Sequence, residues 1–267
     1  MTAAADLAWY VYAVMPADAP FHSGAPGAAT VLPGASIGQI TSAKGLAAVV
    51  SAVPRRLFVA GDPVSRAEDP DWIAARASAH HDAIVQLSAS APCLPLGYGT
   101  MFGSADAVRN WLDTNAIQLH PALRRVAGQW EWSVTLIADW PRLAAWLRTT
   151  DPSLSALSAA AGVAAPGTSF LVGRRLARAE ADATTACYEA GAARLRSRLE
   201  QRSWPLLLET KRDYAAWSVL APVGTDVAAE FADESMASAE MGLEIRVTGP
   251  FPPYTFARAA WQPQQDV

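Results

Sequence analysis

Cys93, His80 and His81 are the residues of this chain whose types best suit chemistry. A thiol served by an imidazole makes a cysteine nucleophile, and paired histidines suggest a transition metal. The spacing supports neither. Both histidines fall in a stretch that reads as helix, where neighbours point about 100° apart and do not readily share a ligand. No oxyanion motif accompanies Cys93-Leu94-Pro95-Leu96-Gly97-Tyr98-Gly99-Thr100, and cysteine is more often a small hydrophobe than a nucleophile. That run predicts a short buried strand and a glycine-rich turn, with His80 buried and hydrogen-bonded. His22 is expected to be solvated.

Other catalytic signatures are missing from the sequence. It has no phosphate loop, no Gly-x-Ser-x-Gly, no His-Glu-x-x-His and no Cys-x-x-Cys. The residues therefore predict no catalytic, cofactor or metal site. Arg194, Arg196, Arg198 and Arg202 are interleaved with Glu189 and Glu200, which predicts a solvated helix face and not a binding patch.

The elements that would position these residues follow from patterning. With 267 residues, 51% hydrophobic, 17% charged and 10 Trp, the chain has enough apolar content for one large or two ordinary domains. A net charge of -4 offers no general attraction to nucleic acid or anionic lipid. The apolar run Leu7 to Met15 is too short to span a bilayer, and the first basic residue is Lys44. No signal peptide or membrane span is expected, and a soluble, intracellular chain with reduced cysteines is.

Trp9 to Val14 predicts a central strand covered on both faces. Pro16 to Gly34 reads as a loop, and Ile37 to Ile40 and Leu46 to Val50 as strands around a turn at Ser42 to Gly45. Asp69 and Pro70 start a helix to about Leu87, with Ile73, Ala77, His80, Ile84 and Leu87 on one stripe. Ser104 caps a helix carrying Val108, Trp111 and Leu112, and a further helical piece runs from Leu119 to Val126. Gly128 is the expected boundary, dividing an N-terminal α+β domain (1–128) from a C-terminal domain (129–267).

In the second part, Trp130, Trp132, Val134, Leu136 and Ala138 alternate with Glu131, Ser133 and Thr135. That predicts a strand with Trp132 as core anchor and Glu131 on the polar face. Asp139 and Pro141 start a helix; Ala159 to Gly167 reads as a loop. A long helix follows with Ala177, Ala181, Thr184, Tyr188, Gly191, Leu195 and Leu199 on its stripe. Strands at Pro205 to Glu209 and Tyr214 to Val223 flank the turn Thr210 to Asp213, and a helix begins at Asp226. The order strand, helices, strand, strand, helix, strand is that of a ferredoxin-like sheet with helices on one face.

The last strand opens the closing stretch, Gly242 to Phe256. Leu243, Ile245 and Val247 alternate with Glu244 and Arg246. Gly249 and Pro250 should end the strand, and Phe251-Pro252-Pro253 cannot be helical. In polyproline II geometry Phe251 and Tyr254 share a side. This arm, carrying Gly249, Pro250, Phe251, Pro252, Pro253 and Tyr254, is expected to dock on the protein's own body.

Several of these pieces together resemble the gas vesicle protein F/L family (GvpL/GvpF). They are Tyr10 to Val14, Asp69-Pro70-Asp71-Trp72, the helix histidines, Leu94-Pro95-Leu96 with Gly99-Thr100, Glu131-Trp132 and Gly242 to Phe256. They fall in the family's order along nearly the whole chain. Gly97-Tyr98 stand where the family often has Arg-Phe, Ser133 and Thr135 where it has Gly and Lys, and Phe251 where it usually has Trp.

The resemblance implies two α+β domains, the second a modified ferredoxin-like fold, and a non-enzymatic role in the gas vesicle, in a prokaryotic cytoplasm. It implies a minor component or assembly factor that binds the main shell protein, with other gas vesicle accessory proteins as further partners, to nucleate the vesicle or prevent shell-protein aggregation. It implies no cofactor, nucleic acid or membrane. The rival reading is an enzymatic or small-molecule-binding ferredoxin-like protein.

Overall fold

The protein is described from a computed structural model covering residues 7–21, 29–62, 64–202, 204–211 and 214–261. His22 and the residues 212–213 of the expected turn lie outside that description. The chain is an α+β protein of two compact units, Met1–Glu131 with Pro250–Val267, and Trp132–Gly249. The sequence predicts a boundary at 128/129, with the closing segment in the second part.

In the first unit, β1 (Leu7–Pro16) pairs antiparallel with β3 (Leu46–Pro54), which pairs with β2 (Gly38–Thr41). The other side of β1 receives two short strands, β4 (Leu94–Pro95) and β5 (Met101–Phe102). Tyr10 to Met15 are fully buried, as a central strand covered on both faces requires. Helix α1 (Pro70–Ser90) starts where expected: the Asp69 carboxylate accepts from the amides of Asp71 and Trp72, both at 3.1 Å. Helix α2 (Ala105–Val126) is capped by Ser104. The two helical pieces expected here are one continuous helix running through Pro121. That proline faces solvent, so the carbonyl it leaves unbonded one turn back, at exposed Ile117, can be hydrated.

Strand β6 (Gln129–Ala138) starts in the first unit and leads into the second, followed by α3 (Trp140–Thr150), α4 (Pro152–Val163) and α5 (Pro166–Gln201). The loop expected at Ala159 to Gly167 is mostly helix. Asp151 caps α4 through the amides of Ser153 and Leu154, and the alanines that suggested flexibility are the strongest helix formers. Then come β7 (Leu206–Lys211), β8 (Tyr214–Pro222), α6 (Val227–Glu230), α7 (Ala232–Met241) and β9 (Leu243–Phe251). The sheet order is β7-β8-β6-β9, with β7 and β8 antiparallel.

Trp217 anchors this core, with Leu136, Leu143, Leu195, Leu199, Val219 and Phe231 around it. Trp132, expected as the anchor, is only partly buried at its edge. Gly191 lets α5 approach the sheet closely: a Cβ there would lie 3.2 Å from Leu243. The α5 stripe holds from Thr184 onward, but Ala177 and Ala181 are exposed. Leu176, Ala179 and Ala183 face the core instead, a slip that runs of alanine conceal.

Strand β9 keeps its alternation and continues past Gly249, whose φ is 142°, to Phe251. Helix α8 (Tyr254–Trp261) follows at once. The expected extended ladder therefore stops after Pro253, and Phe251 and Tyr254 part company: Phe251 is exposed, while Tyr254 packs on the first unit's core.

Candidate functional site

His80 Nε2 lies 3.1 Å from the Leu96 carbonyl, which can only accept, so the ring proton is on Nε2. Nδ1 must then accept from the Tyr10 hydroxyl at 2.8 Å. That hydroxyl accepts in turn from the Gly99 amide at 3.4 Å. A parallel chain runs through Tyr12, whose hydroxyl accepts from the Val31 amide at 2.9 Å and meets Ser51 Oγ at 3.0 Å. Ser51 gives its own proton to the Ser36 carbonyl at 2.8 Å, so Tyr12 donates to Ser51. Tyr12 and His80 stack with centroids 5.8 Å apart, and Tyr98 meets His80 edge-on.

The cluster is buried and internally hydrogen-bonded. Burial holds the His80 imidazole down at about 4 and raises both tyrosines, so all three are neutral at physiological pH. Burial pushes the Cys93 thiol up to about 12, and a protonated thiol is no nucleophile. No group of three or more His, Cys, Asp or Glu able to hold a metal occurs among the described residues.

Leu94, Pro95, Leu96, Gly99 and Thr100 surround this cluster as backbone fasteners. Leu94 and Pro95 pair with Val14 and Ala13 of β1. The Leu96 amide donates to the Tyr12 carbonyl at 2.8 Å, and the Thr100 carbonyl accepts from the Val11 amide at 2.9 Å. Thr100 Oγ1 closes the turn onto the Gly97 carbonyl at 2.7 Å, and Gly99 has a φ of 85°.

Glu131 is the residue that pattern reading misplaced. It is buried, and its Oε2 accepts from the amides of Thr255 at 2.9 Å and Phe256 at 3.4 Å, in the first turn of α8. A carboxylate there meets amides that lack intrahelical partners and the positive end of the helix dipole. Its neighbour in space lies 124 residues away in sequence, so no local signal marked it. Pro252, Pro253, Phe256 and Ala257 are buried beside it, and the Arg125 guanidinium lies 5.0 Å from the centre of the Phe256 ring. Tyr254 shares a 2.9 Å hydrogen bond with His81 Nδ1 and stacks on its ring. Gly249, Pro250 and Phe251 end β9 outside this cluster, and Trp132 belongs to the second unit.

Large apolar side chains are exposed in both units, among them Leu7, Val64 and Ile117 in the first. Val163, Phe170 and Leu171, around the α4–α5 turn, are 87%, 67% and 63% exposed. Leu208 of β7 is 52% exposed beside a groove of about 800 Å³ lined by Trp140, Tyr188, Ala192 and Trp217. The buried Trp217 indole nitrogen has no hydrogen-bond partner among the described residues. The arginines expected to be solvated divide. Arg196 pairs along α5 with Glu200 at 2.8 Å. Arg198 instead packs on the Phe231 ring and pairs with Glu234 at 2.6 Å, and Arg202 pairs with Glu230.

A family profile described as gas vesicle synthesis protein GvpL/GvpF matches residues 8–258. The chain belongs to the GvpL/GvpF family. Gas vesicle protein L2 of Halobacterium salinarum is 32% identical over 245 residues, 85% of this chain and 88% of that protein. Gas vesicle protein L of a Streptomyces species is 30% identical over 266 residues, 96% of this chain and 94% of its own. Crystal structures of the gas vesicle protein GvpF share the fold. That of Microcystis aeruginosa aligns with a TM-score of 0.61 at 18% identity, over 94% of this chain and 98% of its own. That of Anabaena sp. PCC7120 aligns with 0.64 at 15%, over 94% and 96%.

Membership of the GvpL/GvpF family supports a gas vesicle-related role. The motif residues of the first unit hold a buried network and a helix cap. No helix among the described residues is long and apolar enough to cross a membrane.

Proposed function

We propose that this protein is a minor structural component or assembly factor of gas vesicles that binds the main shell protein directly, without catalytic turnover. Its place is the gas vesicle in a prokaryotic cytoplasm, with other gas vesicle accessory proteins as further partners. By covering shell subunits before they assemble, it helps nucleate the vesicle or keeps those subunits from aggregating. The observation that carries this reading is the exposed apolar surface of the second unit, at Val163, Phe170, Leu171 and Leu208, in a member of a gas vesicle family. Exposed apolar surface of this kind marks interaction sites. The disarmed state of Cys93 and His80 agrees with a role that needs no chemistry.

We read the two units as two domains, the second a modified ferredoxin-like fold. The strand order β7-β8-β6-β9, with helices between the first and second strands, supports that reading. Leu94, Pro95, Leu96, Gly99, Thr100, Glu131, Trp132, Gly249, Pro250, Phe251, Pro252, Pro253 and Tyr254 are on this view structural residues.

The contact is mainly apolar or made by strand addition, because a net charge of -4 provides little steering. Co-expression with the shell protein, followed by capture at low and high salt, tests it. A complex only modestly weaker in high salt is expected, since salt screens exposed charge pairs and leaves apolar burial intact. Loss of the complex at moderate salt refutes the apolar mode. No complex under any condition, with normal vesicles in cells lacking this protein, refutes the function.

A further inference from the structure

The two edges of the second unit's sheet are built differently. The β9 edge carries charge at Glu244 and Arg246, both exposed and paired to each other, and a proline at position 250. Those are the devices that keep a sheet edge from pairing with another chain. The β7 edge begins with the uncharged run Leu206-Leu207-Leu208, and its charged residues, Glu209 and Lys211, lie only in its second half. Its hydrogen-bond parity follows from register. The Leu220 amide donates to the Pro205 carbonyl at 3.0 Å, and β7 and β8 pair without a shift from Leu206–Val219 to Lys211–Tyr214. Bonded pairs alternate, so Leu207 and Glu209 bond to β8, while the amides and carbonyls of Leu206, Leu208 and Thr210 point away from it.

Leu208 lies opposite Trp217, on the face that α5 covers. Leu208 is half exposed and lines the groove. The groove's lining carries one acid, Glu189, and one base, Arg196, which cancel, and is otherwise uncharged. An uncharged, apolar occupant is the complement.

We infer that the β7 edge and its groove form the docking site for an extended, uncharged strand of the shell protein. The strand adds to the sheet at Leu206, Leu208 and Thr210 and places an apolar side chain in the groove. This rests on the function proposed above and assigns its contact surface. Main-chain bonds to the edge supply affinity, and the groove selects the side chain. A carbonyl of the occupant that reached the Trp217 indole would also satisfy that buried donor.

The test uses the full chain and two variants, with the co-expressed shell protein as probe. Leu208→Pro deletes an outward amide that the ladder does not use, and Leu208→Lys puts a charge at the groove. Both should keep the parent's circular dichroism and weaken capture at least about tenfold, as expected when one or two hydrogen bonds and an apolar contact are lost. Binding should also slow hydrogen exchange at the Leu206 and Leu208 amides. Undiminished capture by both variants, with no added protection of those amides, overturns the site while leaving the function standing. Failure of the parent chain to capture the shell protein overturns both. A parent dimer that Leu208→Lys converts to monomer assigns the edge to a second copy and overturns the partner.

Discussion

Glu131→Ala should release helix α8. The carboxylate accepts from the Thr255 amide at 2.9 Å and less favourably from the Phe256 amide at 3.4 Å, both close to its own unit's core. A hydrogen bond to a charged group is worth about 1.5–3 kcal/mol, and a negative charge at a partly buried helix N-terminus adds up to about 2 kcal/mol. Allowing for the long second bond and for the overlap of these terms, the loss should be about 2–4 kcal/mol. At about 1.4 kcal/mol per tenfold, the α8 amides should then exchange with solvent roughly 30- to 1,000-fold faster.

Hydrogen exchange read over residues 254–261 is the direct assay, with thermal unfolding alongside. Glu131→Gln keeps an acceptor without the charge and should lose roughly half as much. Glu244→Ala, at an exposed charge on the guarded edge, should change stability by less than about 0.5 kcal/mol. If Glu131→Ala leaves the α8 amides within about threefold of the parent, the cap does not hold the helix and the reasoning is refuted.

Acid should weaken the first unit through His80. Its folded-state value is about 4 against an ordinary 6.5, so the unfolded chain takes up the proton first as pH falls. Stability should therefore be intact above about pH 6.5 and fall by about 2 kcal/mol between pH 7 and pH 4.5, and His80→Phe should flatten that slope in denaturant titrations. An unchanged slope in the variant would mean that other groups control the acid limb. In the second unit, Trp217→Ala should cost about 3–5 kcal/mol and Trp132→Ala distinctly less, because only the former is fully enclosed. Thermal midpoints shifting equally would contradict that difference in burial.

What the sequence determined by itself is local. Asp69 with Pro70 and Ser104 each set a helix start, because a cap and its amides are within three residues of one another. The all-apolar run Trp9 to Val14 had only a doubly covered strand as its solution, and Leu243 to Val247 only a half-covered one. Family membership was also legible, since its motifs keep their order along the chain. The burial of His80 was readable too, from its place on the stripe with Ile84 and Leu87.

Tertiary structure decided the rest, wherever the competing terms depend on residues distant in sequence. An alanine-rich run looks the same whether it is a loop or a helix, and Ala159 to Val163 became helix once α4 had a cap and a neighbour to pack on. Alternation placed Glu131 on the polar face. Its burial depends on two amides more than 120 residues onward, and such a partner leaves no mark on the strand's own pattern. For the same reason Trp132 was expected as the anchor where Trp217 is found: which indole is enclosed depends on elements packed on the sheet, which a strand's own pattern does not record. The open β7 edge is decided last of all, by a strand order that only the folded sheet possesses.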